Sequence, residues 1–208
     1  MNRIPSRIAA TPDGPASADR VLECGQLRLR FQWQDDRFAH AISLVDAAHA
    51  GELLRSVEGV ADEAWPAGPP LQSLHLEQQP GGRHVALLLG MAGKSHWSVA
   101  VELFPDRSCL RWDVACRVRG GAYGKLGSRY LAAAKVHLID EGRALICGSE
   151  PRGGLIVRLD AAEPWSSESS QRLLASDSDH VEIVAESRPA SDSATTVRWS
   201  YVIEPAGS

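Results

Sequence analysis

Lysine is scarce in this sequence of 208 residues: Lys94, Lys125 and Lys135 are its only lysines. The remaining positive charge is arginine, scattered among acids along the chain, and the net charge is a modest −4. That scatter excludes a basic stripe of the kind that binds nucleic acid. Long apolar runs are missing too. The longest, from Val85 to Gly93, is less than half the roughly 20 residues needed to span a bilayer, so no membrane partner is expected. The segment from Met1 to Arg20 carries Pro5, Pro12, Pro15 and several charges without an apolar stretch, which excludes a secretory signal. A cytoplasmic location follows as the expectation.

Metal and nucleophile signatures are also missing. The chain has no H-E-x-x-H, H-x-H, G-x-S-x-G or EF-hand loop. Cys24, Cys109, Cys116 and Cys147 include no C-x-x-C pair, so reduced, buried thiols are the plain reading. His75-Leu-Glu77 and His180-Val-Glu182 match the H-x-E of zinc deaminases but lack the companion P-C-x-x-C. Gly90-Met-Ala-Gly-Lys-Ser95 is too short between its glycines to wrap phosphate and leads into a strand pattern. The glycine-rich stretch from Gly120 to Gly127 has neither dinucleotide spacing nor a following helix. No metal and no cofactor are therefore expected.

What is present is alternation. Leu27, Leu29, Phe31 and Trp33 alternate with polar residues, Asp35 and Asp36 turn the chain, and Phe38, His40, Ile42 and Leu44 continue the pattern. A hairpin with one wet face is the result. A second hairpin is expected around Pro105-Asp106-Arg107, with Trp97, Val99, Val101 and Leu103 facing Leu110, Trp112, Val114 and Cys116. Further strands are expected at Leu71 to Gln78, His84 to Leu89, Leu131 to Ile139, Ala144 to Cys147, Leu155 to Leu159, Val181 to Ala185 and Thr196 to Ile203. Between Ala47 and Ala64 the pattern loses its period, so a short helix or loop is expected there. Val85 to Leu89, apolar at every position, reads as a strand covered on both faces. The Ser-rich stretch from Ser166 to Ser178 reads as a connection.

The fold expected is all-β and mainly antiparallel: a β-sandwich, up to supersandwich size, with at most one or two short helices. Residues 1–20 form an arm and residues 21–208 a single domain. With 44% apolar and 23% charged residues, the chain has the ordinary composition of a folded domain with one core.

Strand period, rather than any motif, selects the candidate site. If Trp97 and Trp112 point inward, His96, Ser98 and Glu102 point outward with Arg111, Asp113 and Arg117. Ser73, His75 and Glu77 join them if the earlier strand pairs alongside. The bland reading is a solvated surface of cross-strand ion pairs. The functional one is a carbohydrate, sugar-acid or small-anion site, in which His96, His75 and Asp113 are the candidate catalytic groups. Arg111, Arg117, Glu102, Glu77 and the loop residue Trp65 are then the candidate binding groups. Trp165 lies in a similar loop, while His40, on an apolar face, reads as a buried histidine. The competing hypothesis is a non-catalytic module that binds another protein or its own copy. Whether the chain is an enzyme, and its oligomeric state, stay open at this level.

Overall fold

A computed structural model describes residues 19–45, 51–80, 83–118, 125–147, 153–160, 169–176, 179–187 and 195–207. Along the chain these form β1 (Arg20–Cys24), β2 (Leu27–Gln34), β3 (Arg37–Leu44), β4 (Leu54–Ser56) and β5 (Ser73–Gln78). Next come β6 (His84–Ala92), β7 (Ser95–Phe104), β8 (Cys109–Val118), β9 (Leu126–Ala132) and β10 (Val136–Asp140). β11 (Arg143–Cys147), β12 (Gly154–Leu159), β13 (Ser169–Ser176), β14 (His180–Ser187) and β15 (Thr195–Pro205) complete the set. A single 3-10 turn, Pro105–Arg107, is the one helical element among the described residues.

The strands make two antiparallel sheets packed face to face. The smaller has the order β1-β2-β3-β4-β9-β14-β13, and the larger β10-β11-β12-β15-β8-β7-β6-β5. The fold is therefore the all-β sandwich that the alternation predicts. No helix of the described residues is long and apolar enough to cross a membrane.

Both predicted hairpins form. Phe31 pairs with His40 and Trp33 with Phe38, and the turn between them is made by Asp35 at a φ of 53°, a left-handed conformation that aspartate tolerates. Trp97 pairs with Cys116, Val99 with Val114 and Val101 with Trp112. The inward side chains of both sheets meet in one core, where Trp97, Trp112, Tyr130, Tyr201 and Phe31 are the largest fully buried groups. Trp33 is only partly buried, its ring 4.9 Å from that of Phe38 in an edge-on contact.

Several expectations are corrected. Leu131 to Ile139 is not one strand: β9 belongs to the smaller sheet and β10 to the larger. The small residues Ala132, Ala133 and Ala134 let the chain cross between layers, with Ala133 N–H donating to Leu53 O at 3.0 Å. The strand β13 occupies Ser-rich sequence expected to be a connection, and it pairs with β14 along its whole length at the edge of the smaller sheet. β1 begins at Arg20, the last residue assigned to the arm, and pairs with β2. In the stretch expected to be a short helix or loop, the described residues 51–64 are loop apart from the short strand β4. Finally, β6 is not covered on both faces: Val85 is buried, but Leu87, Leu89 and Met91 are 39%, 59% and 48% exposed. Residues 1–18, Trp165 and Gly120 to Gly124 lie outside the described residues.

At Gly90 the chain passes very close to itself. A Cβ there would sit 1.5 Å from the carbonyl oxygen of Pro70, so only glycine lets the segment from Pro69 to Gln72 lie against β6. Leu71 O accepts from Phe38 N–H at 2.6 Å and Gln72 N–H donates to Leu89 O at 2.8 Å. This segment joins the smaller sheet to the larger.

Candidate functional site

The outer face of the larger sheet is ordered by its register. In one row Met91, His96, Arg117 and Thr196 stand side by side on β6, β7, β8 and β15. The next row holds Ser73, Leu89, Ser98, Ala115 and Arg198. The middle strands of this second row present only Ser98 and Ala115, while larger side chains stand on the strands to either side. The face is hollow there. A groove of about 540 Å³ results, lined by Gln72, Ser73, Leu89, Gly90, Met91, His96, Trp97, Ser98, Ala115, Arg117, Thr196 and Arg198. Among the described residues its lining holds two arginines, one histidine and no carboxylate. Gln72 Oε1 accepts from Met91 N–H at 3.0 Å and so ties one wall to the strand beneath.

The opposite end of the same face has a different chemistry. Glu102 stands across from Arg111, and Arg111 Nε lies 2.7 Å from Asp160 Oδ2, an ion pair whose N–H is not aimed along the contact. Asp160 also lies 4.0 Å from Arg158, which is 3.4 Å from Glu204. The two arginines and two carboxylates in ion-pair contact, Arg111, Arg158, Asp160 and Glu204, balance in charge, and partly exposed pairs of this kind add at most about 1 kcal/mol each.

Of the candidate site residues, His96 and Arg117 are therefore brought together in the groove. Arg111 and Glu102 belong to the ion-paired end. Asp113 sits between Ala100 and Ser200, outside the groove's lining but two residues along β8 from Ala115 and four from Arg117, which sets it about 7 Å from the nearer groove row and about 13 Å from the Arg117 row at the usual strand rise. His75 and Glu77 lie on β5, the strand at the sheet's edge, opposite Leu87 and Val85. His96, His75 and Asp113 share a face without converging, so the geometry offers no direct proton relay among them. Trp65 is partly buried and packs on the core, which leaves it out of the groove.

The strand period could also have placed Thr196 and Arg198 outward, because Val197 and Trp199 point inward. What sequence does not contain is the pairing of β15 with β8, which joins residues far apart in the chain. Leu89 and Met91 were hidden differently, since an apolar residue on either face looks like core.

A second polar cluster lies between the sheets. His40 Nε2 is 3.0 Å from Tyr130 Oη, which is 2.6 Å from Tyr201 Oη. Tyr201 also bonds Ser128, whose Oγ accepts from Trp199 Nε1 at 3.0 Å. The His40 ring stacks on Trp112 at 4.5 Å, and Trp112 lies parallel to Tyr201 at 5.9 Å. Burial holds His40 down at about 3 and pushes both tyrosine hydroxyls up, so all three are neutral near pH 7. The cluster is a hydrogen-bonded tie across the core, as expected for a histidine on an apolar face.

Ser56 extends this tie toward the surface. Its Oγ accepts from His40 N–H at 2.8 Å and donates to Glu58 Oε1 at 2.5 Å. Burial raises Glu58 to about 7, against the smaller opposing effects of the Ser56 hydrogen bond and the Arg37 charge. Arg37 in turn holds Asp36 through two hydrogen bonds, of 2.8 and 3.0 Å. Glu58 titrates where an acid or base is useful, yet it lines neither the groove nor the small depression bounded by Arg30, Glu52 and Arg55.

Burial also pushes the Cys24 and Cys116 thiols up to about 12, and all four cysteines are free. Cys24 and Cys116 are therefore protonated near pH 7 and poor nucleophiles. Among the described residues no group of three or more His, Cys, Asp or Glu is placed to hold a metal ion. No protein-family model matches the chain, and no curated protein matches it.

Proposed function

We propose that this chain binds a small organic anion in the groove on the outer face of the larger sheet. The observation that carries the reading is a charge contrast: Arg117 and His96 line a groove whose described lining includes no carboxylate, in a chain whose net charge is −4. Arginine matches carboxylate and phosphate with paired N–H donors, and Ser73, Ser98, Thr196 and Gln72 supply groups that bind ligand hydroxyls or further oxygens. A sugar acid fits this description. A neutral sugar fits less well, because the described lining presents no aromatic plate: the Trp97 side chain is buried in the core.

A thermal-shift panel tests it, using inorganic phosphate, glucuronate and neutral glucose. The anions are expected to raise the unfolding midpoint by mass action, and an Arg117→Ala, Arg198→Ala double variant to lose that rise. Anions without effect, or a double variant that responds like wild type, would sink the idea.

A second reading, self-association through a strand edge, rests on β10. It lies at the end of the larger sheet with Leu138 and Ile139 about half exposed, and apolar edges invite pairing. Sedimentation giving a monomer at all concentrations would remove it.

A further inference from the structure

The groove has an apolar wall whose extent exceeds what a small polar anion needs. On β6 the inward positions Ala86, Leu88 and Ala92 belong to the core, as buried strand residues should. The outward positions Leu87, Leu89 and Met91 are the large exposed apolar side chains of that strand. Single exposed leucines are ordinary, but consecutive outward positions on one strand form a continuous stripe. From Met91 to Leu87 the stripe is about 13 Å long, the length of an extended chain of roughly ten carbons.

The stripe and the cations have a fixed relation. Leu89 shares its row with Ser98, Ala115 and Arg198, and Met91 shares its row with His96 and Arg117. The small floor residues Ser98 and Ala115 therefore separate an apolar wall from a cationic one, three strand spacings or about 14 Å apart at the backbone. Leu87 carries the stripe beyond the groove, opposite Ala100 and His75.

Resting on the anion reading above, we infer that the ligand is a single-chain amphiphile, an acyl carboxylate or alkyl phosphate. Its anionic head lies against Arg117 and Arg198, and its hydrocarbon lies over Ser98 and Ala115 against Leu89 and Met91. Charge complementarity fixes the head, and the direction of β6 leads a longer tail on toward Leu87.

Calorimetric titration with inorganic phosphate, butyl phosphate, octyl phosphate, octanoate and neutral octanol separates the parts. A fully buried methylene gives about fourfold in affinity, so a wall open on one side should give about twofold per methylene, and roughly 16-fold from butyl to octyl. Leu89→Ser with Met91→Ser is expected to flatten the alkyl series, so that octyl phosphate binds no more tightly than butyl phosphate. Octanol is expected to bind at least tenfold more weakly than octyl phosphate. If the anions bind with no dependence on chain length, the amphiphile assignment is overturned and the anion site stands. If no anion binds, both are overturned. Co-sedimentation with anionic phosphatidylglycerol vesicles, without binding of monomeric octyl phosphate, would also overturn it in favour of a membrane surface.

Discussion

Replacing Glu58 by Gln should convert a pH-dependent weakness into a pH-independent contact. The glutamine keeps the shape of the side chain and can still accept from Ser56 Oγ, but it never ionises. Burial raises the carboxyl from its ordinary 4.5 to about 7, so the folded state holds this proton more tightly than the unfolded chain does. The stability this confers is complete below pH 4.5 and is lost as pH rises through about 7. The full difference is about 3 kcal/mol, of which about 2.5 kcal/mol falls between pH 5 and 8.5. His40 acts in the opposite sense: its depressed value of about 3 gives stability that is present above pH 6.5 and lost as pH falls toward 3. The raw pH profile therefore mixes two slopes, and only the difference between wild type and Glu58→Gln isolates the carboxyl. In urea denaturation the variant is expected to gain about 2.5 kcal/mol on wild type between pH 5 and 8.5, or roughly 1 M in midpoint. A difference constant to within about 0.5 kcal/mol across that range would refute the reasoning, since it would mean that Glu58 ionises as an exposed carboxyl does.

The core tie and the close crossing make further predictions. Tyr130→Phe removes the hydroxyl between His40 Nε2 and Tyr201 Oη and should cost about 1–3 kcal/mol, because the partners left behind are buried; a neutral result in urea unfolding would show that they find other bonds. Gly90→Ala places a methyl against the Pro70 carbonyl and should cost about 1–3 kcal/mol as the segment is displaced. It should also weaken anion binding, because Gln72 and Ser73 follow that segment into the groove. An unchanged melting temperature would mean that the crossing yields easily.

Much of the fold was legible because strand alternation states burial directly. The Trp97 and Trp112 strands pair as their patterns require, and the wet face they define is the face that carries the groove. The failures have a common cause. Period says which side a residue faces but not which strand lies next to it, so Leu131 to Ile139 read as one strand although the chain changes sheets at Ala132 to Ala134. The Arg111 and Asp113 positions were correctly faced outward, yet it took the neighbouring β15 and Asp160 to separate a balanced ion-pair network from a cationic groove. Leu87 and Leu89 were misread for the converse reason: hydrophobicity signals a partner, and core is only one kind of partner.

The position of β15 in the larger sheet has a consequence for how the protein is made. This strand is the last in sequence of those described, and it lies between β12 and β8. While a ribosome is still producing the preceding residues, β8 and β12 are both left with unsatisfied backbone edges, as two separate half-sheets. Thr196 and Arg198 arrive only with β15, so one wall of the groove is missing from any shorter nascent chain. Completion of the sheet and creation of the binding site are then a single late event, and a chain arrested before Thr195 exposes the strand edges through which β proteins aggregate.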